Sequence, residues 1–265
     1  MVRIAINGAA GRMGRRLVDL ISREKGLRLT ATLEQAGHPD ERRDAGELAG
    51  CGAIGLTISP EWAEPADVMI DFSSPEGLMQ RLPEAVRMNC AVLVGTTGLA
   101  DREKVALAHA AHSVPVLVAP NMSIGVNLLF TLAGQVAAAL GEEYDIEIVE
   151  AHHRFKKDAP SGTALRLAAE IAEATGRSVE RNAVHGRHGP NAERKPGEIG
   201  IHAVRAGDIV GDHTVIFSTL GERIELTHRA HTRDTFVRGA IRAARFLAGK
   251  PAGMYAMRDV LGEGK

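Results

Sequence analysis

Val2-Arg3-Ile4-Ala5-Ile6-Asn7-Gly8-Ala9-Ala10-Gly11-Arg12-Met13-Gly14 opens the chain. Its first five residues read as a buried strand. Gly8, Gly11 and Gly14 then mark a turn, and Met13, Leu17, Leu20 and Ile21 recur at the spacing of one apolar helix face. Strand, glycine turn and helix in this order form the context of a dinucleotide-binding turn. Glycine lets the backbone approach a pyrophosphate, and the helix N-terminus supplies N–H groups and a positive dipole. The spacing G-x-x-G-x-x-G is a variant of the usual fingerprint. Glu34 lies at the end of the next strand, Arg28 to Leu33, where an acid accepts hydrogen bonds from ribose hydroxyls. A glycine turn alone reads equally well as an empty strand–helix turn; with the strand, the helix and Glu34 all in place, nucleotide binding is the better reading.

Working outward, strands (67–72, 91–94, 115–118) alternate with helices (75–88, 102–111), the pattern of a mostly parallel sheet with right-handed crossovers. Gly95-Thr96-Thr97-Gly98 and Ala119-Pro120-Asn121-Met122-Ser123 close two of these strands, at the end of the sheet where open α/β folds bind ligands. After Asn121 the pattern changes. A helix is expected over 125–140, a strand over 145–150, a helix over 161–175 and a long polar loop over 176–197. Strands are expected at 199–204, 214–219 and 223–227, with turns at Gly207-Asp208, Gly211-Asp212 and Gly221-Glu222. This is a second, partly antiparallel sheet. A last helix is expected over 235–247.

Composition narrows the function classes. With 45% apolar and 25% charged residues the chain reads as a soluble globular protein, and a net charge of −1 points to neither nucleic acid nor an anionic membrane. Two cysteines, Cys51 and Cys90, make neither a disulfide framework nor a zinc site and suit a reducing cytoplasm. No secretory signal and no stretch of membrane-spanning length are expected.

The densest chemistry is Glu150-Ala151-His152-His153-Arg154-Phe155-Lys156-Lys157-Asp158-Ala159-Pro160-Ser161-Gly162-Thr163-Ala164. Five of these residues are His, Arg or Lys. Ser161-Gly162-Thr163 starts a helix, whose hydroxyls and N–H groups suit an anion. A cationic strand end facing a helix N-terminus fits a dicarboxylate; a solvated basic loop with an N-capping Ser161 is the bland alternative. His152 and His153 are adjacent and point to opposite faces on a strand, and no other metal-ligand pattern accompanies them, so no metal is expected.

Glu150 to Ala164, Val204 to Gly211, Gly95 to Gly98 and Gly11 to Gly14 together resemble the 4-hydroxy-tetrahydrodipicolinate (dihydrodipicolinate) reductase family, over essentially the whole chain. The resemblance implies an α/β fold: a Rossmann-like dinucleotide-binding domain (1–123 and 234–265) and a smaller α+β substrate and tetramerisation domain with a mixed sheet (124–233). It implies a cytoplasmic NAD(P)H-dependent reductase of the lysine/diaminopimelate pathway, without metal, nucleic acid or membrane partners. By resemblance His152 is the proton donor and Lys156 its partner. His153, Lys156, Ser161, Gly162, Thr163 and Arg233 would hold a small dicarboxylate substrate. Gly8, Gly11, Arg12, Met13, Glu34, Gln35, Phe72, Gly95, Thr96, Thr97, Ala119, Pro120, Asn121 and Met122 would line the cofactor cleft. Some family members carry a basic residue after the ribose-binding Glu; here Gln35 offers a donor without charge, so NADPH is not favoured by that position. A homotetramer is implied, through the apolar residues Ile201, Ala203, Val215, Phe217, Ile224 and Leu226, which one small domain is not expected to cover. Two other readings stand beside this one. A different Rossmann-type dehydrogenase of amino-acid metabolism would need its own acid–base set, and a non-catalytic nucleotide sensor would have no use for the His152/Lys156 pair.

Overall fold

The structure, a computed structural model, describes residues 1–262. The chain divides into two compact units, Met1–Ser123 with the segment from Asp234 onward, and Ile124–Arg233. Residues 263–265, the end of the expected first domain, lie outside the described residues. The first unit runs β1 (Val2–Asn7), α1 (Arg12–Ser22), β2 (Leu27–Leu33), α2 (Ala45–Ala49), β3 (Ile58–Ser59), β4 (Val68–Asp71), α3 (Pro75–Arg87), β5 (Ala91–Val94), α4 (Asp101–Ala110) and β6 (Pro115–Val118). The second holds α5 (Ile124–Leu140), β7 (Asp145–His152), α6 (Gly162–Ala174), α7 (Val179–Asn182), β8 (Ala183–His185), β9 (Ile199–Arg205), β10 (Gly211–Thr219) and β11 (Glu222–Ala230). The chain then returns to the first unit with α8 (Asp234–Leu247), β12 (Gly253–Tyr255) and α9 (Met257–Leu261).

The first sheet has seven strands in the order β12-β6-β5-β4-β1-β2-β3, and every neighbouring pair is parallel. Its central strands read as continuous apolar runs because helices cover both faces. Met69, Val92, Val94 and Val116 join Leu78, Leu82 and Leu107 of the helices in one buried core. This is a Rossmann-like arrangement, and β1 sits where the strand order reverses.

The second sheet is mixed, in the order β11-β10-β7-β9-β8. β10 runs antiparallel to β7 and β11, while β9 is parallel to β7 and β8. Alternation along the strands gives it one apolar face. Ile146, Ile148, Ile199, Ile201, Val215 and Phe217 pack there against Leu129, Ala133 and Ala137 of α5 and Leu167 and Ile171 of α6.

Four expectations are corrected. Residues 176–197 are not one loop: α7 packs on α6, and β8 pairs with β9 at the sheet edge. Gly211 and Asp212 are not a turn but the start of β10, paired with Ala230 and Arg229. The apolar face of the small sheet is covered within its own unit at Ile201, Val215 and Phe217; only Ala203 and the edge-strand residue Ile224 stay exposed. Finally, α5 with its following turn forms a 20-residue helical stretch, Ile124–Glu143, long and apolar enough to match a membrane span by length and composition. Its apolarity has a local use, since Leu129, Ala133 and Ala137 complete the small-sheet core.

Candidate active site

In the first unit, β1, β2, β4, β5 and β6 all end on one side of the sheet, and residues at the ends of β1, β2 and β4 line a cleft. Gly8 adopts φ +80, and a Cβ there would fall 2.7 Å from the Phe72 carbonyl oxygen. At Gly14 a Cβ would meet the Gly8 carbonyl oxygen at 2.1 Å, so only glycine lets α1 start this close to the turn. Gly11 caps α1 without a side-chain hydrogen bond. The helix therefore presents N–H groups without side-chain competition. Gly95 lies against the Phe72 ring, where a Cβ would come within 2.3 Å of Cε1.

A cleft of about 360 Å³ is lined by Gly8, Gly11, Glu34, Gln35 and Phe72 together with Asn7, Ser73, His38 and Arg81. Five of the cofactor residues expected from the sequence thus share one cavity. Glu34 Oε2 accepts from the Ala10 N–H at 3.3 Å, which ties the acid to the glycine turn. Arg81 donates to the carbonyls of Glu34 (3.2 Å) and Pro60 (2.6 Å). Arg12, Thr97 and Pro120 are exposed, Met13 and Asn121 half-buried, Ala119 and Met122 buried; none of these lines the cleft. Thr96 is buried and spends its hydroxyl on Asp71. The cradle fits a dinucleotide: missing Cβ atoms where backbone must approach, an uncapped helix start and an acid just after β2 tied to the glycine turn.

The second unit concentrates its ionisable groups at one end of the apolar sheet face. Strand alternation puts Ile146, Ile148, Glu150 and His152 on the same side of β7. Register then places Arg205 opposite His152 and His213 opposite Glu150. The face changes from aliphatic to ionisable where α6 begins. Glu150 is fully buried and receives four donors. Its Oε2 lies 2.5 Å from His152 Nδ1, Arg205 donates to both oxygens at 2.8 Å, and the Ser161 N–H donates to Oε1 at 2.9 Å. Burial alone would raise the Glu150 pKa, but Arg205, His152 and the Ser161 N–H hold it below the usual carboxylate range. An ionised Glu150 accepts from His152 Nδ1–H and leaves Nε2 as the exchanging atom. Gly211 keeps that atom open, since a Cβ there would sit 3.1 Å from Nε2.

Burial lowers the His152 pKa below its ordinary value, against the pull of Glu150, with Lys156 and Arg205 adding to the lowering. His213 stacks edge-on against His152 at 5.1 Å and lies 3.2 Å from Ser161 Oγ; burial pushes its pKa down to about 3, so it is a neutral ring at physiological pH. Ser161 Oγ also accepts from the Ala164 N–H and so caps α6. Lys156 pairs with Asp158 at 2.9 Å. Gly162 is exposed at the first position of α6, with nothing within 4 Å of the Cβ it lacks. His153 Nδ1, His213 Nδ1 and Arg205 Nε are buried without a hydrogen-bond partner among the described residues. Arg233 is exposed at the last position of the unit, and no hydrogen bond or ion pair joins it to this cluster.

Comparison with known proteins covers both units. Residues 2–122 match the family description "Dihydrodipicolinate reductase, N-terminus", and residues 125–261 match "Dihydrodipicolinate reductase, C-terminus". The chain belongs to the dihydrodipicolinate reductase family. Within that family it is 48% identical to the 4-hydroxy-tetrahydrodipicolinate reductase of Syntrophotalea carbinolica and 49% identical to that of Hahella chejuensis, covering 99% of each chain in both comparisons. Among solved structures it shares its fold with the dipicolinate-bound dihydrodipicolinate reductase from Paenisporosarcina sp. TG-14 (TM-score 0.74, 24% identity, 97% of each chain).

Sequence reading alone did not place Glu150, Arg205 and His213 in the cluster around His152 and Ser161. Glu150 carried a signal, because an acid two residues before a His on a strand shares its face. Arg205 lies in Val204 to Gly211, a stretch that carries the resemblance, but nothing in the sequence paired it or His213 with Glu150 and His152, since only the register of β9 and β10 on β7 brings them together.

Proposed function

We propose that this protein reduces 4-hydroxy-tetrahydrodipicolinate, or its dehydrated form, to tetrahydrodipicolinate with a nicotinamide nucleotide, in lysine/diaminopimelate biosynthesis. The observation that carries the reading is the buried Glu150–His152 pair beside the start of α6, in a chain that belongs to the family over its whole length. When bound, the cofactor supplies hydride to the conjugated cyclic imine. Electron density then moves to the ring nitrogen, and a ring carbon must take up a proton. His152 holds that proton at Nε2, with Nδ1–H fixed on Glu150. Lys156, His153, Ser161, Thr163 and the Gly162 end of α6 hold the two carboxylates, and Arg233 adds charge from the unit boundary. The pairing of Lys156 with the Asp158 carboxylate supports a carboxylate partner for this ammonium. The glycine turn, Glu34, Gln35 and Phe72 hold the nucleotide, with Arg12, Met13, Gly95, Thr96, Thr97 and the 119–122 segment around it. Both cysteines are free thiols, which supports a reducing, cytoplasmic setting.

The direct test follows loss of NADH or NADPH absorbance in a mixture of aspartate semialdehyde, pyruvate, the upstream synthase and this protein. No oxidation alongside an active synthase overturns the reading.

Cofactor choice follows from the ribose corner. Gln35 brings no charge to a 2′-phosphate, and Arg81 is engaged by Glu84, Glu34 and Pro60. The expected result is comparable use of both cofactors or a preference for NADH. A charge-assisted hydrogen bond contributes about 1.5–3 kcal/mol, so a preference for NADPH above about a hundredfold, roughly 2.7 kcal/mol, would mean that Arg81 or Arg12 has turned to the phosphate.

Assembly is expected to be a homotetramer built on the small sheets. The face turned away from α5 and α6 carries Val149, Ala151, Val204 and Ile216, none of them fully buried in the single chain. Light scattering at micromolar concentration should return the mass of four chains; a monomer would refute the arrangement.

A further inference from the structure

Asp71 is the last residue of β4 and is completely buried. Its Oδ1 accepts from Asn7 Nδ2 at 2.6 Å and from Ser73 Oγ at 2.7 Å, and its Oδ2 accepts from Thr96 Oγ1 at 2.5 Å. These donors come from the ends of three adjacent strands, β1, β4 and β5. All three are neutral, and among the described residues no cation pairs with Asp71. Asn7 and Ser73 line the nucleotide cleft, and Asn7 Nδ2 also reaches the Gly77 carbonyl at the start of α3. Burial raises the pKa of the Asp71 carboxyl, against the pull of Thr96, Ser73 and Asn7. A buried carboxylate without a cation is costly, and a neutral side chain could brace the same three loops at lower cost. A carboxyl in this place therefore calls for a use beyond bracing.

Its place in the sheet indicates one. Glu34 marks the adenosine ribose at the end of β2. A dinucleotide that crosses the switch point at β1 lays its other half over the ends of β4 and β5. That half would be the nicotinamide, and Asp71 ends β4 on this side of the sheet, where the chain leads into Phe72 and Ser73. We propose that Asp71 is a positioning residue of the cofactor cleft, fixing Asn7, Ser73 and Thr96, and that its carboxylate, when ionised, favours the positively charged oxidised nicotinamide over the neutral reduced ring. In the direction of reduction the charge would help hydride leave. This inference rests on the cleft being a nicotinamide-nucleotide site.

The test measures dissociation constants for NAD+ and NADH by titration calorimetry in the wild type, in Asp71→Asn and in Thr96→Val. Removing the charge should weaken NAD+ roughly tenfold more than NADH, the scale of one charge interaction across a partly shielded site. Thr96→Val strips a donor from Oδ2, makes the ionised form harder to keep, and should shift the ratio the same way by less. The thermal unfolding transition reports whether each variant is folded; should Asp71→Asn fail to fold, Thr96→Val decides. Equal weakening of both cofactor forms, or an unchanged ratio, overturns the electrostatic role and leaves Asp71 a brace. A wild type that binds neither form overturns the cofactor reading itself.

Discussion

Replacing His152 by Gln is expected to lower turnover by about 10²- to 10⁴-fold, the usual cost of removing a general acid, while NADH affinity stays almost unchanged. The reason is spatial. His152 sits in the second unit, on the ionisable end of the small sheet, and the glycine turn belongs to the first. Lys156→Ala should behave differently, lowering turnover and also weakening dipicolinate binding, because a point charge meets the ground-state carboxylate as well as the reacting ring. Steady-state kinetics and dipicolinate titration separate the two. Near-normal turnover with a raised Michaelis constant in His152→Gln would make His152 a binding residue and pass the proton to His153, Lys156 or water.

The pH behaviour follows from the same geometry. Burial lowers the His152 pKa from its ordinary value, which favours the neutral ring in the absence of ligand. A general acid must be protonated, so kcat/KM should fall as pH rises through this lowered pKa. A bound dicarboxylate adds negative charge beside the ring and raises its pKa, so binding near neutrality should take up a proton. Calorimetric dipicolinate binding should therefore depend on the ionisation enthalpy of the buffer in the wild type and lose that dependence in His152→Gln.

Much of this was legible in the sequence, for reasons that differ by element. The strand–turn–helix at residues 2–22 is local and periodic, and Gly8 and Gly14 announce close backbone approach. The cationic run from His152 to Lys157 is contiguous, so it stands out without any fold. Arg205 and His213 do not, because each belongs to a strand some fifty or more residues from His152, and a one-residue slip in pairing would turn either side chain to the other face. Gly211 misled for a physical reason. Gly-Asp usually marks a turn, but here the glycine is in a strand, where a side chain would crowd the His152 ring. β8 and β12 are three residues long each, too short to carry a period.

Glu150→Gln is expected to cost both stability and rate. Four donors converge on a carboxylate that water does not reach, and an amide would offer one oxygen and turn its NH2 toward a group that also donates. Breaking a buried pair from one side typically costs about 3–5 kcal/mol, because Arg205 keeps its charge and loses its partner. For a chain of this size that corresponds to a fall of about 6–20 °C in Tm. The kinetic effect has a separate origin. Without the carboxylate, Nδ1 of His152 is no longer held as the donor, and Nε2 is no longer fixed as the atom that exchanges a proton. Turnover should drop at least about a hundredfold in the fraction that remains folded at low temperature. The decisive measurement is the double variant: if Glu150 acts through His152, then Glu150→Gln combined with His152→Gln should be hardly slower than His152→Gln alone. Full additivity of the two losses would mean that Glu150 serves only to hold Arg205 and Ser161 in place.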